Sequence, residues 1–162
     1  MVRGSQGRLG ELEALYRERW SAFARVAISV VGSVEGGKEA VQEGFARAIE
    51  QQEEFRGECP LEAWVWRIVV NTAKTASVRA ARDEPGTDVG LGGAVTNEDR
   101  PSEVASWVQT LPERQRLAVF LRYWADLDYR AIAEVLEVEL GTVSATLSAA
   151  HQSLRRSVQE VK

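Results

Sequence analysis

Between residues 83 and 104 the chain reads DEPGTDVGLGGAVTNEDRPSEV, and this stretch constrains the fold more than any helix does. Four Gly, two Pro and six acids leave almost no bulky apolar side chain with which to bury a core. The segment is expected to be a flexible acidic linker, and composition alone asks no more of it than a passive tether. The chain therefore divides into helical modules at 9–82 and 105–162, preceded by a disordered N-terminus at 1–8. A length of 162 residues accommodates two small domains of this kind.

In the first module, Leu12, Leu15, Tyr16, Trp20 and Phe23 fall on one side of a helix over 9–31, followed by Val26, Ala27, Val30 and Val31. Gly32 ends it, and a turn at 33–37 leads to a helix over 38–53 with Val41, Phe45, Ala48 and Ile49 inward. The opposite face shows Glu39, Gln42, Glu43 and Glu50, an acidic strip that is either solvated or a docking edge for a basic partner. A second turn, Arg56 to Pro60, opens a third helix in which Leu61, Trp64, Val65, Ile68 and Val69 form the apolar stripe. Pro60 suits a helix start, where its missing N–H is no loss. From 71 to 82 there are Lys74, Arg79 and Arg82 and no acid. That end suits docking on a polyanion, or equally a solvated last turn whose cations complement the helix dipole.

The second module restarts the helical period. Val104, Trp107 and Val108 precede a break at Leu111-Pro112, and Leu117, Phe120, Leu121 and Trp124 then read as a core face. Asp126 to Asp128 is a turn holding an N-cap candidate. Ile132, Ala133, Leu136, Val138, Val143 and Leu147 have helix-turn-helix spacing, with small Ala133 at the crossing and Thr142 as the expected cap of the second helix. A plain helical hairpin has the same pattern. The fold class is all-α, two small helical domains joined by a flexible linker.

Other function classes lose ground on composition. The net charge is −4, but residues 1–82 carry 12 Lys/Arg against 11 Asp/Glu, and 105–162 carry 7 against 7. The excess acid lies in the linker, so the chain is not a charge-driven DNA coat. No run approaches the ~18 apolar residues of a membrane span, and the N-terminus lacks a secretory signal, so a cytoplasmic protein with no membrane insertion is expected. One cysteine, Cys59, excludes an internal disulfide framework and fits a reducing compartment. His151 has no companion His or Cys, so no metal site is expected. With no Gly-rich phosphate loop and no clustered carboxylates, neither an enzyme nor a cofactor is expected.

EAVQEGFARAIEQQEEFRGECPLEAWVWRIVVNTAK and LPERQRLAVFLRYWADLDYRAIAEVLEVELGTVSATL stand in that order on either side of the linker. Together they resemble the second and fourth conserved regions of the extracytoplasmic-function (group IV) sigma factors, bacterial RNA polymerase subunits of the sigma-70 family. The likeness runs from about residue 9 to 156. It implies a promoter-specificity subunit that binds core RNA polymerase and promoter DNA and opens the −10 element. Glu39, Gln42 and Glu43 match the surface such proteins apply to the clamp helices of the largest polymerase subunit, and the fourth region implies contact with the flap of the second-largest. Phe55, Arg56, Gly57, Glu58, Cys59 and Pro60 match the loop that holds a base flipped from the −10 strand, which must offset a few kcal/mol of unstacking. Asn71, Lys74, Arg79 and Arg82 match the helix that reads and grips that strand. Of the two tryptophans, Trp64 belongs to the stripe, and Trp66, pointing elsewhere, is the candidate for stacking on a base. The linker would thread the polymerase channel as an acidic mimic of a strand. The resemblance also implies an anti-sigma factor as partner, whose zinc, where present, would be its own.

Two departures qualify this. Family members usually carry several cations just after GTV, whereas here Ser144, Thr146, Ser148 and His151 follow, with no full cation before Arg155. Weak or unconventional −35 reading by Arg130, Thr142, Ser144, Thr146, Ser148 and His151 is therefore expected. Arg114, Arg116, Arg122 and Arg130 on neighbouring helices are the alternative phosphate grip. Glu137 occupies a turn position where Gly would ease a left-handed backbone. Gly37 and Lys38 stand where acids are common before the AVQE run. A sigma-like regulator that binds polymerase or an anti-sigma factor with impaired −35 recognition, and an ordinary helix-turn-helix regulator, remain the alternatives.

Overall fold

A computed structural model describes residues 2–83 and 103–161; most of the expected linker, 84–102, lies outside the described residues. The described residues form seven α-helices in two units, one built from α1 to α3 and one from α4 to α7.

In the first unit α1 (Val2–Val31), α2 (Val34–Glu50) and α3 (Leu61–Asp83) each pack on the other two. Gly32, at φ 90°, stops α1, and its N–H closes on Ile28 O at 2.7 Å. Ser33 then caps α2 by accepting from the Gly36 N–H at 3.2 Å, so α2 begins inside the expected turn. The buried face of α2 is Gly37, Ala40, Val41, Gly44, Phe45 and Ala48. Two of these are small by necessity. A Cβ on Gly37 would come within 2.6 Å of the Ile28 Cα and N, and one on Gly44 within 3.0 Å of the Val69 Cα. Thus α2 meets α1 and α3 backbone to backbone, and Gly37 could not carry a side chain without parting two helices. Ile49, expected inward, is 42% exposed one step beyond that face.

The core centres on Phe23. It stacks on Trp66 at 3.9 Å and 20° and meets Phe45 edge-on at 5.0 Å, and Tyr16 takes Phe45 edge-on at 5.0 Å. This overturns the reading of Trp66 as an outward base-stacking ring. Trp66 is fully buried, and its indole N–H donates to Glu62 Oε1 at 3.3 Å. The buried face of α3 is broader than the expected stripe: Val65 and Val69 of that stripe are fully buried, Ala63, Trp66, Val70 and Ala73 join them, and Leu61 and Ile68 are only half-buried. Trp64 is buried too, at the margin, against Phe55 at 5.3 Å.

Residues 2–8, expected to be disordered, are helical and continue α1. Arg8 explains the extension in part: its Nη1 donates to Gln52 O at 2.6 Å and to Phe55 O at 3.3 Å.

The second unit comprises α4 (Glu103–Gln109), α5 (Glu113–Tyr123), α6 (Tyr129–Leu136) and α7 (Leu140–Glu160). Leu117, Leu121, Ile132, Val135, Val143 and Leu147 fill its core. Phe120 and Trp124, expected in the core face, are half-buried against each other at 4.5 Å. Asp128, one of the two acids of the expected turn, caps α6 by accepting from the Ala131 N–H at 2.8 Å. The turn to α7 passes through Glu137 in a left-handed conformation, φ 56° and ψ 46°. α6 and α7 are thus a helix-turn-helix. Thr142 is not its cap: the cap position is Glu139, three residues earlier, and Thr142 lies within the first turn.

Candidate nucleic-acid interface

The loop between α2 and α3 projects from a rigid base. Arg56, Gly57, Glu58 and Pro60 are exposed, Phe55 and Cys59 half-buried. Gly57 takes φ 76°, a backbone that glycine adopts without penalty, and so turns the tip. Pro60 stands just before the first helical residue, its carbonyl accepting from the Trp64 N–H at 3.2 Å. Beneath the loop, Arg19 pairs with Glu62 at 3.1 Å, and Glu62 also holds Trp66. A carboxylate near the start of α3 complements the positive end of that helix.

α3 extends about 35 Å from the loop at 1.5 Å per residue. At about 100° per residue, Asn71, Lys74, Arg79 and Arg82 fall within an arc of roughly 140°, on the side opposite Trp66, Val69 and Ala73. Asn71, Arg79 and Arg82 are exposed, and Lys74 is half-buried. Arg67 shares the arc and was missed by sequence reasoning, although stepping back four residues from Asn71 reaches it. The helix therefore presents one basic and amide-bearing face that begins near the loop and carries no acid before Asp83. Such a face can take phosphates along its length and one base edge at Asn71.

Glu39, Gln42 and Glu43 are exposed together on α2, at i, i+3 and i+4. Glu43 is partly matched by Arg47 at 2.6 Å, an exposed pair worth little to stability and easily exchanged for an external cation.

In the second unit the expected −35 residues separate. Ser144 and Ser148 lie on one exposed face of α7 with Gly141, Gln152 and Arg155, within an arc of about 80° at 100° per residue. Arg130 joins them, since an open groove is lined by Asp128, Tyr129, Arg130, Leu140, Gly141 and Ser144. Thr142 and Thr146 are half-buried on a flank. His151 lies on the other flank, its Nε2 2.8 Å from the Tyr123 hydroxyl on α5. Gln152 is a further polar group that the run of small residues obscured. Among the described residues no group of three or more His, Cys, Asp or Glu could hold a metal ion, and no helix is long and apolar enough to cross a membrane.

Comparison with known proteins agrees with this geometry. The family model described as Sigma-70 region 2 matches residues 15–83, and that described as Sigma-70, region 4 matches residues 103–154. The ECF RNA polymerase sigma-E factor of Escherichia coli (strain K12) is 31% identical over 139 residues, covering 75% of this chain and 73% of the relative. The chain belongs to the ECF sigma factors of RNA polymerase. The sigma-E factor of Haemophilus influenzae is similar at 30% identity over the same span, covering 74% of that protein. Two solved structures share the fold. One is the sigma factor RpoE with the anti-sigma factor NepR from Bartonella quintana, at TM-score 0.70 and 20% identity, covering 98% of each chain. The other is CnrH with the cytosolic domain of CnrY, at TM-score 0.73 and 21% identity, covering 99% of this chain and 96% of that one. The α1–α3 unit of this sigma factor is thus its region 2, and the α4–α7 unit its region 4.

Proposed function

We propose that this sigma factor docks on core polymerase through Glu39, Gln42 and Glu43, and opens the −10 element with the 55–60 loop and the basic face of α3. The observation that carries the reading is the continuity of an exposed loop with an acid-free helix face, both standing on a closed aromatic core. A base extruded from the duplex needs a rigid receptor, because unstacking takes a few kcal/mol. The loop supplies backbone groups and the Phe55 edge; Asn71 reads a base, and Arg67, Lys74, Arg79 and Arg82 hold the strand through phosphates.

Carboxylates on α2 set the register and rate of docking more than its affinity. The α7 face of Ser144, Ser148, Gln152 and Arg155, with Arg130, contacts −35 DNA with few phosphate-neutralising cations, so promoter choice rests mainly on region 2. An anti-sigma protein is a further partner, by likeness to the sigma factor RpoE solved with the anti-sigma factor NepR.

The test pairs Glu39→Lys with Glu43→Lys, and separately Asn71→Ala with Lys74→Ala, in reconstituted polymerase. The first pair should slow assembly with core. The second should leave assembly intact and abolish −10 opening, read by fluorescence of a base analogue placed in that element. Opening that survives the second pair contradicts the assignment.

A further inference from the structure

The loop read as the base receptor is not held by its own residues alone. α2 ends at Glu50, and the carbonyls after a helix end lack helical partners. Arg8, 44 and 47 residues earlier, serves two of them, Gln52 O and Phe55 O. Its guanidinium also lies 5.1 Å from the centroid of the Phe55 ring, which packs on Trp64. One side chain thus fixes the backbone ahead of the loop tip and the aromatic ring at its root, while Arg56, Gly57 and Glu58 stay exposed. It can do so only because α1 starts at Val2 and brings residue 8 beneath the loop.

We propose that Arg8 is a positioning residue for −10 recognition: it preorganises the 55–60 loop, so that an extruded base meets a formed receptor. The inference rests on the reading of that loop given above. A loop that must order on binding charges its lost freedom against affinity, and pinning it in advance removes that charge. A charged donor shared between two carbonyls is stronger than neutral bonds. Lysine would keep the cation but lose the planar guanidinium that both bonds the backbone and covers the ring.

The experiment uses holoenzyme reconstituted from core polymerase with full-length wild type, Arg8→Ala or Arg8→Lys. The probe is a fluorescein-labelled non-template strand spanning the −10 element of a promoter recovered from transcripts of the wild-type holoenzyme. A second probe carries a substituted base at the extruded position. Arg8→Ala should weaken binding of the matched strand about tenfold, equivalent to about 1.4 kcal/mol. It should also narrow the ratio between matched and substituted strands, with Arg8→Lys restoring part of both and core affinity unchanged. The inference is overturned if Arg8→Ala binds as wild type, or if affinity falls while the base ratio stays fixed. It is also overturned if core affinity and the melting of region 2 fall in parallel, which marks a merely structural role. Should the wild-type holoenzyme itself ignore the matched strand, the reading of the loop fails and takes the inference with it. A responsive wild type beside an unaltered Arg8→Ala removes the inference alone.

Discussion

Replacing Trp66 by alanine separates a core side chain from a base-stacking one, because the two roles predict opposite losses. A buried Trp removes about 150–250 Å² from water, and at ~25 cal/mol per Å² that is about 4–6 kcal/mol as an upper bound. Large-to-small changes of this type cost about 3–5 kcal/mol when the cavity collapses only partly. Trp66 is fully buried against Phe23, so the upper half of that range applies. Its bond to Glu62 adds little, since Arg19 still pairs with that carboxylate. A loss of about 4 kcal/mol approaches the total stability of a small domain. At about 4–8 °C per kcal/mol, the region 2 transition should fall by at least ~16 °C. Trp66→Phe keeps the ring stack and should lose only about 1–2 kcal/mol. Calorimetry of the full chain, with amide exchange over 61–73 to assign the transition, reads this directly. Amides of α5 to α7 should be unaffected. An alanine variant that melts like wild type but no longer holds −10 DNA would refute the packing argument and restore Trp66 to the surface.

Three further variants test other links. Gly37→Ala places a Cβ within 2.6 Å of Ile28 backbone atoms and should destabilise region 2 by about 1–2 kcal/mol in denaturant titration, even though alanine favours helix. Glu137→Gly relieves a left-handed backbone and should raise region 4 stability by about 0.5–1 kcal/mol, net of the added freedom of the unfolded chain. Ser144→Arg with Ser148→Arg should tighten binding to −35 duplexes. Each new phosphate contact should steepen the log–log salt dependence by about 0.9, as measured by anisotropy across a salt series; an unchanged slope would mean that the α7 face does not meet DNA.

The two modules and the helix-turn-helix were legible because apolar spacing reports which residues must leave water. A cap within 126–128 was legible from local chemistry, and the left-handed turn at Glu137 from comparison with the family pattern. What escaped depends on partners distant in the chain. Trp64 and Trp66 are two residues apart, and only Phe23 of α1 decides which is central. Residues 1–8 contain Gly4 and Gly7 and read as disordered, yet 2–8 are helical and Arg8 bonds a carbonyl 44 residues away. Ile49 fits a periodic stripe but falls just past the face that Gly37 and Gly44 bring against α1 and α3. At the candidate site, the basic face of α3 was readable from its cations. The splitting of the α7 polar groups among three faces was not, since a run of small residues has no strong period to reveal its rotation.

The most direct measurement is sequencing of the transcripts made by core polymerase reconstituted with this chain on a library of genomic promoters. The account predicts discrete start sites sharing a −10 motif, a weaker or variable −35 signal, and loss of all of them when Asn71 and Lys74 are replaced. Transcripts no different from those of core polymerase alone, with the chain bound to it, would contradict it.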